Sequence, residues 1–344
     1  MEFFGSLLVL VGSQATVLAA EAPANRSTIV VGHRSYSGTC DASAAFPLTS
    51  NQFLVASDED NILRLYGTMG PTEPIAEFDL SEMLSLDDEE ADIEAVACVG
   101  NRSYWITSHG RDGRGRRCPS RLLFFATEVS LTTKGKPRLD LVGKPSTILL
   151  QELLADPRYA RFNLFDACQK PPKAPGGLNI EGLCATPEGD LLIGLRNPLR
   201  LGRALVVPLE NPAKVVEGGK PRFGNPIGLN LGGLGIRGLE YWPERDCYLI
   251  IAGPPQAGGE FNIYAWSHNE TTEELRVING LKIGQLQPEA ILTYPGDPFS
   301  FQILSDDGTH PVDDCVCKDH PKRSARKFRS AWVVPASTAF SMAE

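Results

Sequence analysis

The chain has 344 residues, 42% hydrophobic and 22% charged, a length and balance that suit one large globular domain or two smaller ones. A formal net charge of -9 excludes nucleic acid as the main partner, because phosphate binding needs a basic surface. The 33 glycines and 26 prolines favour many short strands and turns over long helices.

At the N-terminus, FFGSLLVLVGSQATVLAAEAPA reads as a secretory signal, an apolar run ending in Ala20-Glu21-Ala22. Glu2 stands where a positive charge is usual, and no Lys or Arg precedes Arg26. The run is short and broken by polar residues, so it does not suit a membrane span. The expectation is a signal over 1–22 and a periplasmic or extracellular protein without membrane contact once the signal is cleaved. Eight cysteines, an even number, suit an exported chain with disulfides whose pairing spacing alone does not give. Cys315-x-Cys317 beside His320 lacks the spacing and second cysteine pair of a zinc finger, so a disulfide or free thiols in a loop are expected there. Asn25, Asn101 and Asn269 head glycosylation sequons that matter only in a host that uses them.

From Cys40 onward the chain repeats itself. CDASAAFPLTSNQFLVASDED (from Cys40), ADIEAVACVGNRSYWITSHGR (from Ala91), LNIEGLCATPEGDLLIGLRNP (from Leu178), GIRGLEYWPERDCYLIIAGPP (from Gly235) and QPEAILTYPGDPFSFQILSDDG (from Gln287) share one plan. A short apolar strand leads through turn residues into a second apolar strand and a polar loop, a hairpin signature. Matching Ser43, Glu94, Glu181, Arg237 and Glu289 gives steps of 51, 87, 56 and 52 residues, the long step holding an insert. Each copy is followed by more strand-like sequence, such as RLLFFATEV (121–129), RALVVPL (203–209) and FNIYAWS (261–267). A period near 50 built of hairpins is the mark of propeller blades. The sequence therefore predicts an all-β chain: a β-propeller of five blades, with six as the alternative, spanning 23–335 as one domain and leaving a tail at 336–344. Pairing of IVVGH (29–33) with SAWVVP (330–335) would close the ring.

Between the copies lie inserts. STILLQELLADPRYARF (146–162) has apolar residues at helical spacing, and DLSEMLSL (79–86) is expected to form a short helix. PPKAPGG (171–177) reads as a loop, GLNLGGLGIRG as a turn before a strand, and HPVDDCVCKDHPKRSARK (310–327) as an irregular excursion. The basic run RDGRGRRCPSR (111–121) reads as a solvated loop, with grip on an anionic ligand as the alternative.

In a hairpin, a residue early in the first strand lies opposite one late in the second. The offsets from Ser43, Glu94, Glu181, Arg237 and Glu289 to Asp58, His109, Arg196, Gly253 and Asp306 are 15, 15, 15, 16 and 17 residues. With first strands lining a central channel, these residues should share one mouth. Three readings of the mouth stand together: a Ca²⁺ site with Glu94, Glu181, Glu289, Asp58 and Asp306 as ligands; a structural ion-pair network with Arg111, Arg196 and Arg237; and a small organic ligand held by Ser43, Arg111, Arg196, Asn197 and Arg237. His109 is the candidate general base, its ordinary pKa being near neutrality. No Gly-x-Ser-x-Gly, HExxH, phosphate-loop or dinucleotide motif occurs, which removes support for the common motif-bearing enzymes.

The set CDAS, ASDEDNILRLY, DIEAV, SHGR, GLNIEGL, LLIGLRNPL, LGGLGIRGLEY, LIIAGP and SDDG, running from Cys40 to Gly308, resembles a bacterial family catalogued as domain of unknown function thirty-six-sixteen. The resemblance implies an exported β-propeller and no particular reaction. More distantly, "IEGL" before a turn and strand is similar to calcium-dependent lactonase and phytase-like propellers, in which acids of the inner strands hold the metal; Glu94, Glu181 and Glu289 match that placement and Arg237 departs from it. The expected function is binding of a small ligand or ion at the mouth, with a metal-dependent hydrolase of lactones or phosphoesters, or a platform for a protein partner, as the alternatives.

Overall fold

The computed structural model describes residues 28–86, 89–256, 258–268, 273–278, 281 and 283–336. The expected signal over 1–22, the sequons at Asn25 and Asn269, and the expected tail beyond residue 336 lie outside the described residues.

Five four-stranded antiparallel sheets stand in a ring. β1 (Ile29–Ser37) comes first in the chain and belongs to the last sheet. Blade one is β2 (Ala44–Thr49), β3 (Gln52–Ala56), β4 (Ile62–Gly67) and β5 (Ala76–Asp79). Blade two is β6 (Ile93–Val99), β7 (Arg102–Thr107), β8 (Phe124–Leu131) and β9 (Pro137–Ser146). Blade three is β10 (Asn179–Ala185), β11 (Leu191–Asn197), β12 (Ala204–Leu209) and β13 (Ile227–Leu229). Blade four is β14 (Gly235–Trp242), β15 (Cys247–Gly253), β16 (Asn262–His268) and β17 (Glu273–Val277). Blade five opens with β18 (Pro288–Leu292) and β19 (Phe301–Ser305). A two-stranded excursion follows, β20 (Pro311–Val312) with β21 (Cys315–Val316), and then β22 (Lys327–Val334). The chain thus has five blades, as the repeat predicts.

Closure follows the expected route. β1 is the outermost strand of blade five and pairs with β22 from Ile29↔Val334 to Ser37↔Lys327, so the two ends of the domain share one sheet. A disulfide, Cys40–Cys317, spans 277 residues and adds a covalent clasp at the same seam. This answers the Cys-x-Cys question: Cys317 is disulfide-bonded, while Cys315 keeps a free thiol.

Inner strands are buried on both faces because each blade lies between two others. That is why their sequences run apolar for several residues instead of alternating. Five hydrophobic clusters fill the five seams. Phe46 and Leu65 meet Trp105 and Phe125 between blades one and two. Tyr36, Phe53 and Tyr66 meet Leu304 and Phe328 where the ring closes. The long step between copies is taken up by α1 (Leu149–Ala155), a 3-10 turn (Pro157–Phe162) and α2 (Leu164–Ala167), whose Leu149, Leu153 and Phe162 cap the seam between blades two and three. The short helix expected over 79–86 is instead a set of hydrogen-bonded turns: Asp79 Oδ1 accepts from Ser81 N, and Ser85 takes a left-handed φ of 55°. The short side chain of Asp79 bonds the nearby backbone in place of a regular helical turn. Among the described residues no helix is long and apolar enough to cross a membrane.

Candidate functional site at the channel mouth

The ring positions share a local device. Ile93 pairs with Thr107 and Ala95 with Ile106, which leaves Glu94 as the extra residue of a β-bulge. Glu181, Arg237 and Glu289 sit at the corresponding irregularities of β10, β14 and β18. A bulge bends the strand and re-aims one side chain. Here it turns four long charged side chains from four blades toward the axis. Ser43 holds the fifth position just before β2, its Oγ donating to Asp41 Oδ1 at 3.0 Å and accepting from Asp58 N at 3.0 Å.

Above this ring opens a cavity of about 420 Å³, whose walls include Asp58, Asp92, Glu94, Glu181, Glu289 and Asp306. Below it the channel narrows to about 20 Å³, room for about one water, walled by Ala44, Ala95, Leu183 and Ala290 and ending at Glu240. Burial raises Glu240 to about 8.

The two sides of the mouth differ. Toward blades three, four and five, charges are paired. Arg196 donates from Nη1 to Glu181 Oε1 at 2.9 Å and from Nε and Nη2 to the carbonyls of Pro254 (3.0 Å) and Gln256 (2.8 Å). Arg237 Nε lies 3.0 Å from Glu181 Oε2, its Nη2 contacts Glu289, and Phe261 faces its guanidinium with the ring centroid 5.8 Å away. All four of these charged side chains are buried.

Toward blades one, two and five, acids accumulate. Two groups of three carboxylates, Asp58–Asp92–Glu94 and Asp41–Glu289–Asp306, each bring one oxygen per residue within 4.8 Å of the others. Asp92 and Glu289 have arginine partners, Arg121 (3.1 Å) and Arg237. Among the described residues, Asp41, Asp58, Glu94 and Asp306 have none. Enclosure and mutual repulsion show in their titration. Burial first and then the charge of Asp92 push Asp58 to about 7. Burial, partly offset by Arg121, takes Asp92 to about 6. Asp41 and Glu94 are also raised, again by burial first, then by Asp306 and Glu181 respectively. The Asp58 carboxyl raises Asp41 further.

The remaining candidates sit at the edge of this arrangement. Arg111 is spent on loop architecture, donating to Cys168 O (2.8 Å), Gly115 O (3.0 Å) and Gln169 Oε1. Asn197 ties the 171–177 loop down through Pro172 O (2.9 Å) and Ala174 O (2.8 Å). His109 is buried, with Nδ1 2.8 Å from Thr107 O, which makes that nitrogen the protonated one. Burial lowers it to about 4, so the ring is neutral, and it is not among the residues that wall the cavity.

Sequence reasoning missed Asp41, Asp92 and Asn179. Each lies two residues before its ring position, on the same face by the period of a strand. Asn179, which lines the cavity, donates from Nδ2 to Glu181 Oε1, while its Oδ1 is buried without a hydrogen-bond partner. Blade four has Gly235 at the equivalent place because a Cβ there would lie 1.9 Å from Arg196 O.

Residues 128–294 match the family described as protein of unknown function (DUF3616). The resemblance read from the sequence is borne out. No curated protein matches the chain. Among solved structures, the chain is similar to a Thermus thermophilus protein described as a putative oxidoreductase (glucose dehydrogenase), at 14% identity over 88% of this chain and 100% of that one, with a TM-score of 0.43. It is similar to the Cps50 (Swd1) β-propeller domain of Myceliophteria thermophila at 8% identity over 89% and 99% of the two chains, with a TM-score of 0.36. Streptogramin B lyase aligns at 9% identity over 88% and 97%, with a TM-score of 0.39.

Proposed function

We propose that the protein is an exported binding propeller whose mouth holds a divalent cation, Ca²⁺ in chemical type, at Asp58, Asp92 and Glu94. The observation that carries this reading is the crowding of Asp58 and Glu94, which have no arginine partner among the described residues, with Asp92, which shares Arg121, on one side of the mouth. Carboxylates this close repel, and a hard cation with oxygen ligands relieves the repulsion. The donor set is all oxygen: Glu94, Asp58 with its unpartnered Oδ1, and Asp92. Export is supported by the N-terminal apolar run and by the Cys40–Cys317 disulfide, a bond that persists in oxidising compartments.

Calorimetric titration of chelator-stripped protein with CaCl₂ tests this. The expected result is saturable binding of Ca²⁺ that releases protons, because Asp58 and Asp92 must ionise to ligate. The observed enthalpy should then depend on the ionisation heat of the buffer. A flat titration and a chelator-insensitive melting curve would remove the calcium reading. A bound Ca²⁺ in an enclosed mouth can also activate water, so lactone and phosphoester turnover is the activity to assay, and Glu94→Gln should abolish any that depends on calcium.

A further inference from the structure

We infer that the ligand of the mouth is a small molecule with a single carboxylate, held with one oxygen on the Ca²⁺ and the other on the ammonium of Lys173. The inference rests on the calcium reading and adds the chemical class of the ligand and the residue that selects it.

The metal end stands on Glu94 as well as on the crowding of acids. Glu94 is only 8% exposed, lines the cavity, and makes no hydrogen bond or ion pair with the described residues. A charge enclosed in this way without a partner calls for a group brought from outside. Asp58 and Asp92 line the same cavity. Calcium takes about six to eight oxygens. Three carboxylates, one of them shared with Arg121, do not fill that shell, and its remaining positions fall to what the cavity holds.

The other end is Lys173. The cavity wall carries Arg121, Lys173, Arg196 and Lys318. Arg121 is engaged by Glu90 and Asp92, Arg196 by Glu181 and two carbonyls, and Lys318 by Glu59 at 2.9 Å. Lys173 is exposed and has no partner among the described residues. Its backbone is nonetheless held. Asn197 donates to the carbonyls on either side of it, Pro172 O and Ala174 O, and Ala174 N donates to Pro171 O at 3.0 Å. Asn197 is buried at the end of β11, so the loop is pinned to the blade. A pinned backbone lowers the ordering cost of a contact made by its free cation. One ammonium beside one divalent ion suits a carboxylate, an oxygen to each. A phosphate carries more charge and is ordinarily met by an arginine fork or several N–H donors, and the arginines of this wall are engaged. The cavity of about 420 Å³ leaves room for the organic body.

The test uses the intact chain with n-butyrate as probe, and butyramide and methylphosphonate as controls, one without charge and the other a dianion. In NMR titration of Ca²⁺-saturated protein, n-butyrate should bind saturably, butyramide should not, and methylphosphonate should bind no more tightly than n-butyrate. Chelator should weaken n-butyrate by about tenfold or more, and by linkage n-butyrate should tighten Ca²⁺ by the same factor. Lys173→Gln, a change on an exposed loop, should weaken n-butyrate by about fivefold or more, while Ca²⁺ binding without n-butyrate stays within about twofold. The three-probe comparison on wild-type protein needs no variant, so the inference stays open to refutation if Lys173→Gln does not fold. Protein that binds Ca²⁺ but not n-butyrate, or that binds methylphosphonate more tightly, overturns the inference and leaves the calcium reading standing. So does n-butyrate binding that is indifferent to chelator or to Lys173→Gln. A flat Ca²⁺ titration sinks both.

Discussion

Glu94 and Glu181 occupy equivalent places: the same bulge, on the same edge of neighbouring inner strands, both buried. Yet Glu181 is gripped by Arg196 and Arg237, and Glu94 has neighbours that are mostly acids. One half of the mouth is closed electrostatically and serves the fold. The other half crowds Asp41, Asp58, Glu94 and Asp306 without arginine partners among the described residues, which costs stability. The contrast teaches that the repeat sets where a side chain points, while the partner across the axis sets what it does.

The largest expected effect attacks the closed half. Arg237→Ala removes the guanidinium between Glu181 and Glu289 and should lower unfolding free energy by about 3–5 kcal/mol, read from urea denaturation; a loss near zero would dissolve the distinction between the halves. Next, Cys317→Ser tests the covalent clasp beside Asp41. A long closed loop suggests about 2–4 kcal/mol, and the melting temperature should fall in step with treatment of the wild type by reductant. A smaller effect of opposite sign is expected in the open half. Glu94→Gln should stabilise calcium-free protein by about 1 kcal/mol at pH 8, because it removes a charge that burial disfavours. Glu181→Gln, the same change one blade on, should destabilise. Equal signs for these two variants would break the comparison.

The smallest effect is a slope. Asp58 and Asp92 titrate near 7 and 6 in the folded protein, above the ordinary aspartate value of 3.8. The folded state therefore holds more protons than the unfolded one between about pH 4 and 7, and stability from these groups falls as pH rises through that window. Melting temperatures in chelator should decline from pH 5 to pH 8, and saturating Ca²⁺ should flatten the decline. A rise over that range in chelator would contradict the open-half assignment.

Much of this was legible in the sequence. The five hairpin copies and the ring positions Ser43, Glu94, Glu181, Arg237 and Glu289 follow from strand periodicity and turn residues, which are local, whereas closure through residues 29–33 was an expectation that the pairing of Ile29 with Val334 bears out. The expected helix over 79–86 failed because a capping aspartate also stabilises turns. Asp41, Asp92 and Asn179 share the two-residue strand period of their ring positions, but blade four has Gly235 and blade five Gln287 there, so the copies show no common residue type at that place. Arg111 and Asn197 looked like ligand contacts and instead bind loop carbonyls, as backbone groups in irregular segments need donors.

By itself the sequence narrowed the blades to five or six and determined the strands that line the channel and the ring of charged positions, because each depends on residues close together along the chain. Only the tertiary structure decided which acid meets which base. Arg237 lies between Glu181 and Glu289, residues 56 before it and 52 after it in the chain, and Coulombic pairing depends on distance through space. The division of the mouth into a neutralised half and a charged half is therefore a property of ring closure.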